Sequence, residues 1–144
     1  MKDGSSKVIK CRKVYGGRCR GEALVSDQAI SGWGGTLPIE GKIVERGHPL
    51  EGKIFTNKIL VVRGAKGSSG WTEAFHASKL SGTLPLGIIF TEMTSKIALG
   101  CVVMCIPAVT DLEENPFENM KSGDLIDLDA NAGEIRIYPK VHKD

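Results

Sequence analysis

Apolar and polar positions at both ends of the chain predict β-strands. Residues 7–14 and 18–25 form two such segments, separated by a pair of glycines that predicts a turn. Residues 124–129 and 134–138 form a second pair around an Ala-Asn-Ala-Gly turn, and the two isoleucines of the last segment alternate with polar neighbours. The outer parts of the chain are therefore predicted to be β structure, ending in a hairpin.

The middle of the chain alternates between short apolar runs and helical patterns. Strands are predicted over residues 58–62, 86–90 and 107–111, and helices over 70–80 and 95–104. A strand–helix–strand–helix–strand order implies parallel pairing with crossover connections. The fold class predicted from both parts is α/β.

A single domain is predicted for residues 1–144, with residues 1–6 as a flexible tail. The length of 144 residues fits one domain, and neither an internal repeat nor a linker divides the sequence. Residues 31–52 form a long glycine-rich segment with little periodicity. Ordered loops of this length in small domains usually carry function or cover something.

Charge and apolar runs exclude several classes of partner. The net charge of +2 is small, and no basic strip interleaved with aromatic residues suggests nucleic acid. No apolar run is long enough to span a membrane, and the first residues lack the apolar core of a signal peptide. We expect a cytoplasmic protein, in which the four cysteines are thiols.

The clearest chemical feature is the glycine-rich segment 64–70, which contains Ser68 and Ser69. It lies between a predicted strand and a predicted helix. Backbone N–H groups at a helix start are unpaired and favour an anion. The two hydroxyls can serve as a helix cap, an anion ligand or an activated oxygen. The order Gly-x-x-x-x-Gly-Lys-Ser/Thr of a phosphate-binding P-loop is absent, which argues against nucleotide hydrolysis.

Other candidates are weaker. Trp33 among glycines suggests either a plain turn or a lid. The three histidines have no metal-ligand spacing, and Cys101 and Cys105, one helical turn apart, are more typical of small buried residues than of half a metal site. The sequence therefore predicts no metal site in this chain.

Several short pieces, in this order and spacing, resemble the small subunit of the aconitase X family over about residues 20–138. The pieces are Gly21-Glu-Ala-Leu-Val, Ile30-Ser-Gly-Trp-Gly-Gly, Gly47-His-Pro-Leu-Glu-Gly, Arg63-Gly-Ala-Lys-Gly-Ser-Ser, Ile97-Ala-Leu-Gly, Ile106-Pro-Ala-Val and Asp111. The resemblance implies a swivelling β/β/α domain like the small domain of aconitases. It also implies a hydro-lyase whose large catalytic subunit carries an iron–sulfur cluster, with none bound by this chain.

The resemblance also assigns roles in the site. In aconitases the matching segment begins Gly-Ser-Ser, and its first serine is the catalytic base, which here is Ser68. By the same resemblance the substrate-binding candidates are Trp33, Gly34, Gly35, Lys66, Gly67 and Ser69. The glycines would let backbone approach a small-molecule substrate, and Trp33 would touch either the substrate or the partner.

The chain departs from the aconitase pattern directly after Ser69. Gly70-Trp71 stands where aconitases have Arg-Glu, so the arginine that grips a substrate carboxylate is missing. Two substrates occur in the resembling family, cis-3-hydroxy-L-proline in bacterial members and phosphomevalonate in archaeal ones. The serine pair and the stretch 90–95 resemble the bacterial members, so hydroxyproline is the predicted substrate and phosphomevalonate the alternative.

A serine base needs help that this chain does not supply by itself. An aliphatic hydroxyl is about as weak an acid as water, so its pKa lies far above neutral pH. Bringing that pKa to about 7 requires on the order of 11 kcal/mol. A helix N-terminus contributes ~1–2 kcal/mol, and Lys66 is a local candidate for more. The rest must come from a closed, dry site shared with a partner, so the isolated chain is expected to be inert.

The sequence also fits a function of another class. The same helix start would also suit a non-catalytic module that binds an anion or another protein. An exposed apolar surface around Trp33 and Trp71 favours the subunit, because a partner would cover it. A sealed surface there favours the stand-alone module.

Overall fold

The computed structural model describes residues 6–31, 34–64, 71–92 and 95–140. The strands in chain order are β1 (Lys7–Lys10), β2 (Arg12–Tyr15), β3 (Arg18–Val25), β4 (Thr36–Leu37), β5 (Lys42–Ile43), β6 (Ile59–Val62), β7 (Gly87–Phe90), β8 (Ala108–Thr110), β9 (Leu125–Asp129) and β10 (Glu134–Tyr138). The helices are α1 (Trp71–Ser81), α2 (Ser95–Met104) and α3 (Pro116–Asn119).

Eight of these strands form one mixed sheet in the order β1-β10-β9-β3-β6-β7-β8-β2. Strands β3, β6, β7 and β8 are parallel to their neighbours within this group, as predicted for the middle of the chain. The predicted hairpin is also present as the antiparallel pair β9–β10. The α/β fold class is thereby confirmed.

The first strand segment closes the sheet on itself. Residues 7–14 were expected to form one strand, but the structure divides them at Cys11 into β1 and β2, which pair with opposite ends of the sheet. The N–H of Cys11 donates to the carbonyl of Gly133 (2.9 Å). At this point the segment stops pairing with β10 and begins to pair with β8. One continuous segment thus lies between the two sheet edges and pairs with both, which protects edges from unwanted association.

Both faces of the parallel strands are buried. In β6, Ile59 and Val61 belong to the core enclosed by the closed sheet, and Leu60 and Val62 belong to the core under the helices. All four residues are at most 3% exposed. This two-sided burial explains why β6 is an unbroken apolar run instead of an alternating one.

The helices and the long loop cover the outer face of the sheet. Phe75 of α1 and Cys101 of α2 belong to the outer core. The predicted stop after α1 is confirmed, because Gly82 follows it with φ of +72°, a conformation typical of helix ends. Residues 31–52 contain the small sheet β4–β5, and Ile43 and Leu50 from this region are buried in the same core.

The short helix α3 was not predicted from the sequence. Its four residues are too few to show helical periodicity, but Asn115 and Pro116 are a typical start. The Asn115 side chain accepts a hydrogen bond from the Phe117 N–H at 2.8 Å. Among the helices that the structure describes, none is long and apolar enough to cross a membrane.

Candidate active site

The carboxyl ends of the four parallel strands define one edge of the sheet. Ser26 follows β3, Arg63 follows β6, Thr91 follows β7 and Asp111 follows β8. Ligands commonly bind beyond the carboxyl ends of parallel strands, in closed as well as in open sheets. The chain enters the serine-containing segment 65–70 from the same edge, because that segment follows β6 and precedes α1.

The two segments singled out in the sequence begin side by side at this edge. The N–H of Ile30 donates to the carbonyl of Gly64 at 3.1 Å. Ile30 and Gly64, which directly precede residues 31–35 and 65–70, are therefore joined by a hydrogen bond, although 34 positions separate them in the sequence. Of the predicted site residues, Gly34 and Gly35 are described by the structure. The others lie outside the described residues: Trp33, Lys66, Gly67, Ser68 and Ser69. The side chain of Trp71 is likewise not described, so the expected surface around Trp33 and Trp71 stays a prediction.

Gly35 is a glycine because the loop folds onto its own backbone. A Cβ at this position would lie 2.3 Å from the carbonyl oxygen of Ser31 and 2.8 Å from Oε1 of Glu45. The carbonyl of Gly35 accepts from the N–H groups of Val44 and Glu45 at 2.9 and 3.2 Å. Gly34 differs, because its φ is +83° and no atom of the described residues lies within 4 Å of its Cβ position. The substrate-binding role of both glycines stays a prediction, and Gly35 has this separate reason to be glycine.

Arg63 joins three segments at the base of the site. Its Nε donates to the carbonyl of Asp27 at 2.8 Å, and its Nη1 donates to Oε2 of Glu92 at 3.3 Å. Its own carbonyl accepts from the N–H of Glu92 at 2.7 Å and from the Thr91 hydroxyl at 3.3 Å. The sequence pattern predicts no role for Arg63. The two acceptors of its guanidinium lie 36 and 29 positions away, so no local pattern could have found them.

Gly64 packs directly against the end of β7. A Cβ on Gly64 would lie 2.7 Å from the carbonyl oxygen of Glu92. Backbone cannot move aside as a flexible side chain would, so this contact requires glycine. The first residue before the serine segment is thereby fixed in place.

An open cleft of about 430 Å³ lies beside the same edge. Its lining includes Arg63, Thr91 and residues 111–117. Asp111 pairs with Arg12, whose Nη2 is 2.5 Å from the carboxylate, and Glu114 pairs with Lys7 at 2.9 Å. Both ion pairs are exposed and contribute little to stability, about 0–1 kcal/mol each.

His48 is a core histidine within the long loop. It is 7% exposed, and its Nδ1 accepts a hydrogen bond from the N–H of Leu50 at 3.0 Å. Of the surface and core roles expected for the histidines, the core role therefore holds for His48. Its position stabilises the turn that follows Glu45.

The cysteines described by the structure do not fit an iron–sulfur cluster. All four are free thiols, and within the described residues no three His, Cys, Asp or Glu side chains are grouped to hold a metal ion. Burial raises the pKa of Cys101 to about 12 and, as the largest cause, the pKa of Cys11 and Cys19 to about 11. Metal ligation requires thiolate, which these environments disfavour.

We expect the cysteines to differ in alkylation rate. Cys105 is exposed, whereas Cys101 is fully buried with a raised pKa. Brief treatment of the native chain with iodoacetamide at pH 8 should label Cys105 before Cys101, as read by peptide mass spectrometry, because Cys105 is accessible and burial disfavours the thiolate of Cys101. Unfolding in denaturant should equalise the labelling. Equal labelling of Cys101 and Cys105 in the native chain would contradict the packing of α2.

The closed sheet, the two covering helices and the paired loops define a mixed α/β domain. The family described as the aconitase X swivel domain matches residues 8–137. The chain belongs to this family and is a hydro-lyase subunit of the dehydratase kind.

The similarity to known proteins extends over almost the whole length of both chains. The phosphomevalonate dehydratase small subunit of Methanocella arvoryzae is 37% identical over 90% of this chain and 98% of the relative. The protein of the same name from Methanosarcina acetivorans is 35% identical over 94% of both chains. The crystal structure of Thermococcus kodakaraensis aconitase X in its holo form has a TM-score of 0.85 and 30% identity, covering 91% of this chain and 98% of that one.

Proposed function

We propose that this chain is the small subunit of a two-part dehydratase and that Ser68 is its catalytic base. The observation that carries the proposal is the family match over residues 8–137, which includes Ser68. The geometry supports it, because the segments before residues 31–35 and 65–70 are bonded at the carboxyl edge of the parallel strands. The partner is a large subunit, which the naming of the relatives as small subunits supports.

We infer that the substrate is phosphomevalonate. Both relatives described above carry this substrate in their names, and each matches at least nine-tenths of the chain. The sequence prediction favoured cis-3-hydroxy-L-proline on the strength of the serine pair and residues 90–95. No relative described above is named for that reaction, so hydroxyproline becomes the second candidate.

The proposed reaction removes a proton from the carbon next to a carboxylate while a hydroxyl group departs. Ser68 takes the proton, and Lys66, Gly67 and Ser69 contact the substrate around it. The iron–sulfur cluster is assigned to the partner, because the described cysteines here are a poor ligand set. Closure against the partner excludes water, which strengthens the electrostatic stabilisation that a serine base requires.

Reconstitution tests both the reaction and the substrate. The chain and its large subunit should be purified anaerobically and assayed with phosphomevalonate and with cis-3-hydroxy-L-proline, each with the complex and with either chain alone. We expect the complex to dehydrate phosphomevalonate and each separate chain to be inactive. Activity on hydroxyproline alone would refute the proposed substrate but retain the dehydratase.

The same experiment also tests the alternative of a non-catalytic, anion-binding module. A complex that forms and carries its cluster, yet acts on neither substrate, would remove the support for both reactions. A chain that binds phosphate without any large subunit would instead favour the anion-binding module. These results are distinguishable because binding and turnover are measured separately.

A further inference from the structure

We propose that Arg63 is a positioning residue of this active site. Its guanidinium and its backbone join the end of β6, just before the serine segment, to the loop after β3 and to the end of β7. The inference rests on the proposed function of that segment. Arg63 acts through the segment and is not itself assigned a contact with substrate.

One side of the tie holds the loop after β3. The Nε of Arg63 donates to the carbonyl of Asp27 at 2.8 Å, and the N–H of Ile30 donates to the carbonyl of Gly64 at 3.1 Å. The N–H of Ser26 also donates to the carbonyl of Val61 at 2.9 Å. The loop that leads to Gly34 and Gly35 is therefore fixed to the strand that leads to Ser68.

The other side of the tie holds the end of β7. Glu92 bonds Arg63 twice, through its N–H to the Arg63 carbonyl (2.7 Å) and through its carboxylate to Nη1 (3.3 Å). Gly64 then packs against the carbonyl of Glu92. The position of the chain at residue 64 is consequently set from two directions, and the guanidinium is the side chain common to both.

An arginine suits this position better than a lysine. Its planar fork donates in two fixed directions at once, whereas the ammonium of lysine is a single flexible point charge. The ion pair with Glu92 is exposed, with 46% and 64% of the two side chains accessible, so it contributes little to overall stability. Catalysis is far more sensitive to geometry, because misplacing a reacting group by about 1 Å can cost about 10²-fold in rate.

The kinetic test compares Arg63→Met, Arg63→Lys and the control Arg12→Met in the reconstituted complex. Arg12 also lies near the cleft and pairs with a carboxylate, but it does not join the segments that carry the predicted site. We expect Arg63→Met to lower kcat about 10–100-fold with KM within about threefold. Arg63→Lys should retain an intermediate kcat, and Arg12→Met should stay within about twofold of wild type.

The concentration of assembled complex should be measured for each variant, so that a slower reaction can be distinguished from a loss of complex. A fall in kcat that matches the fraction of complex lost, or that Arg12→Met shares, would mean a structural role only. A kcat for Arg63→Met within about twofold of wild type would overturn the proposal.

Amide exchange tests the tie without substrate. In the full chain, the N–H groups of Ile30 and Glu92 should exchange at least about tenfold faster in Arg63→Met than in wild type, because their acceptors become mobile. Arg12→Met should leave both rates unchanged. If the wild-type complex dehydrates neither substrate, the proposed function fails, but amide exchange still tests whether Arg63 holds the neighbouring segments in place. Unchanged exchange at both amides in Arg63→Met would overturn the positioning role whatever the kinetics show.

Discussion

Ser68→Ala should lower kcat of the reconstituted complex by about 10²–10⁴-fold, the range expected when a general base is removed. The hydroxyl is the group proposed to take the substrate proton, and alanine leaves no oxygen to replace it. Substrate affinity should change much less, because Lys66, Gly67 and Ser69 stay in place. Steady-state kinetics of the variant complex, with cluster content matched to wild type, measures the effect.

The matched control for this variant is Ser81→Ala. Ser81 is exposed at the end of α1, away from the serine segment in the sequence, and its loss should leave kcat within about twofold of wild type. Both variant chains should still assemble with the large subunit, as judged by gel filtration. A fully active Ser68→Ala complex would show that another group is the base.

Gly35→Ala should destabilise the folded chain by about 3 kcal/mol, near the upper end of the cost of overpacking. The new methyl group would lie 2.3 Å from the carbonyl oxygen of Ser31, and backbone on both sides must shift to accept it. The shift also disturbs the bonds from Val44 and Glu45 to the Gly35 carbonyl. Urea unfolding followed by circular dichroism measures the free energy of unfolding.

Gly34→Ala is the matched comparison one residue away. No atom of the described residues lies within 4 Å of its Cβ position, so the expected penalty for alanine comes from the positive φ of +83° and is about 1–2 kcal/mol. We therefore expect a larger loss of stability at Gly35 than at Gly34. The reverse order would mean that the loop does not close on Ser31 in solution.

Local sequence patterns predicted the elements that bury continuous apolar faces. The segments that became β6, α1, β7, α2 and β8 each carry enough apolar residues to reveal their type, and their alternation implied parallel pairing. The β9–β10 hairpin was equally visible. These elements are decided by local composition and by burial, which the sequence displays directly.

Features that depend on distant partners could not be predicted in this way. The division of residues 7–14 at Cys11 follows from closing the sheet, where one segment must pair with both β10 and β8. The tie at Arg63 requires acceptors on two other segments. The substrate-binding role predicted for Gly35 stays a prediction, and the contact with Ser31 that requires glycine appears only in the folded loop.

The serine segment was found because its composition is distinctive. A run of glycines, a lysine and two serines between a strand and a helix indicates an anion site on physical grounds. Its catalytic role does not follow from that pattern and instead rests on the resemblance to aconitases. The chain alone does not supply the energy needed to lower the pKa of the serine hydroxyl, which indicates a partner that completes the site.

The two-part dehydratase can be tested by anaerobic isolation of the tagged chain from its native cells, with mass spectrometry and an iron assay. We expect recovery of a second chain of the aconitase X large-subunit type, together with iron and with turnover of phosphomevalonate that neither chain shows alone. Recovery of this chain alone, free of iron and inactive, would contradict the two-part dehydratase and leave the anion-binding module as the better explanation.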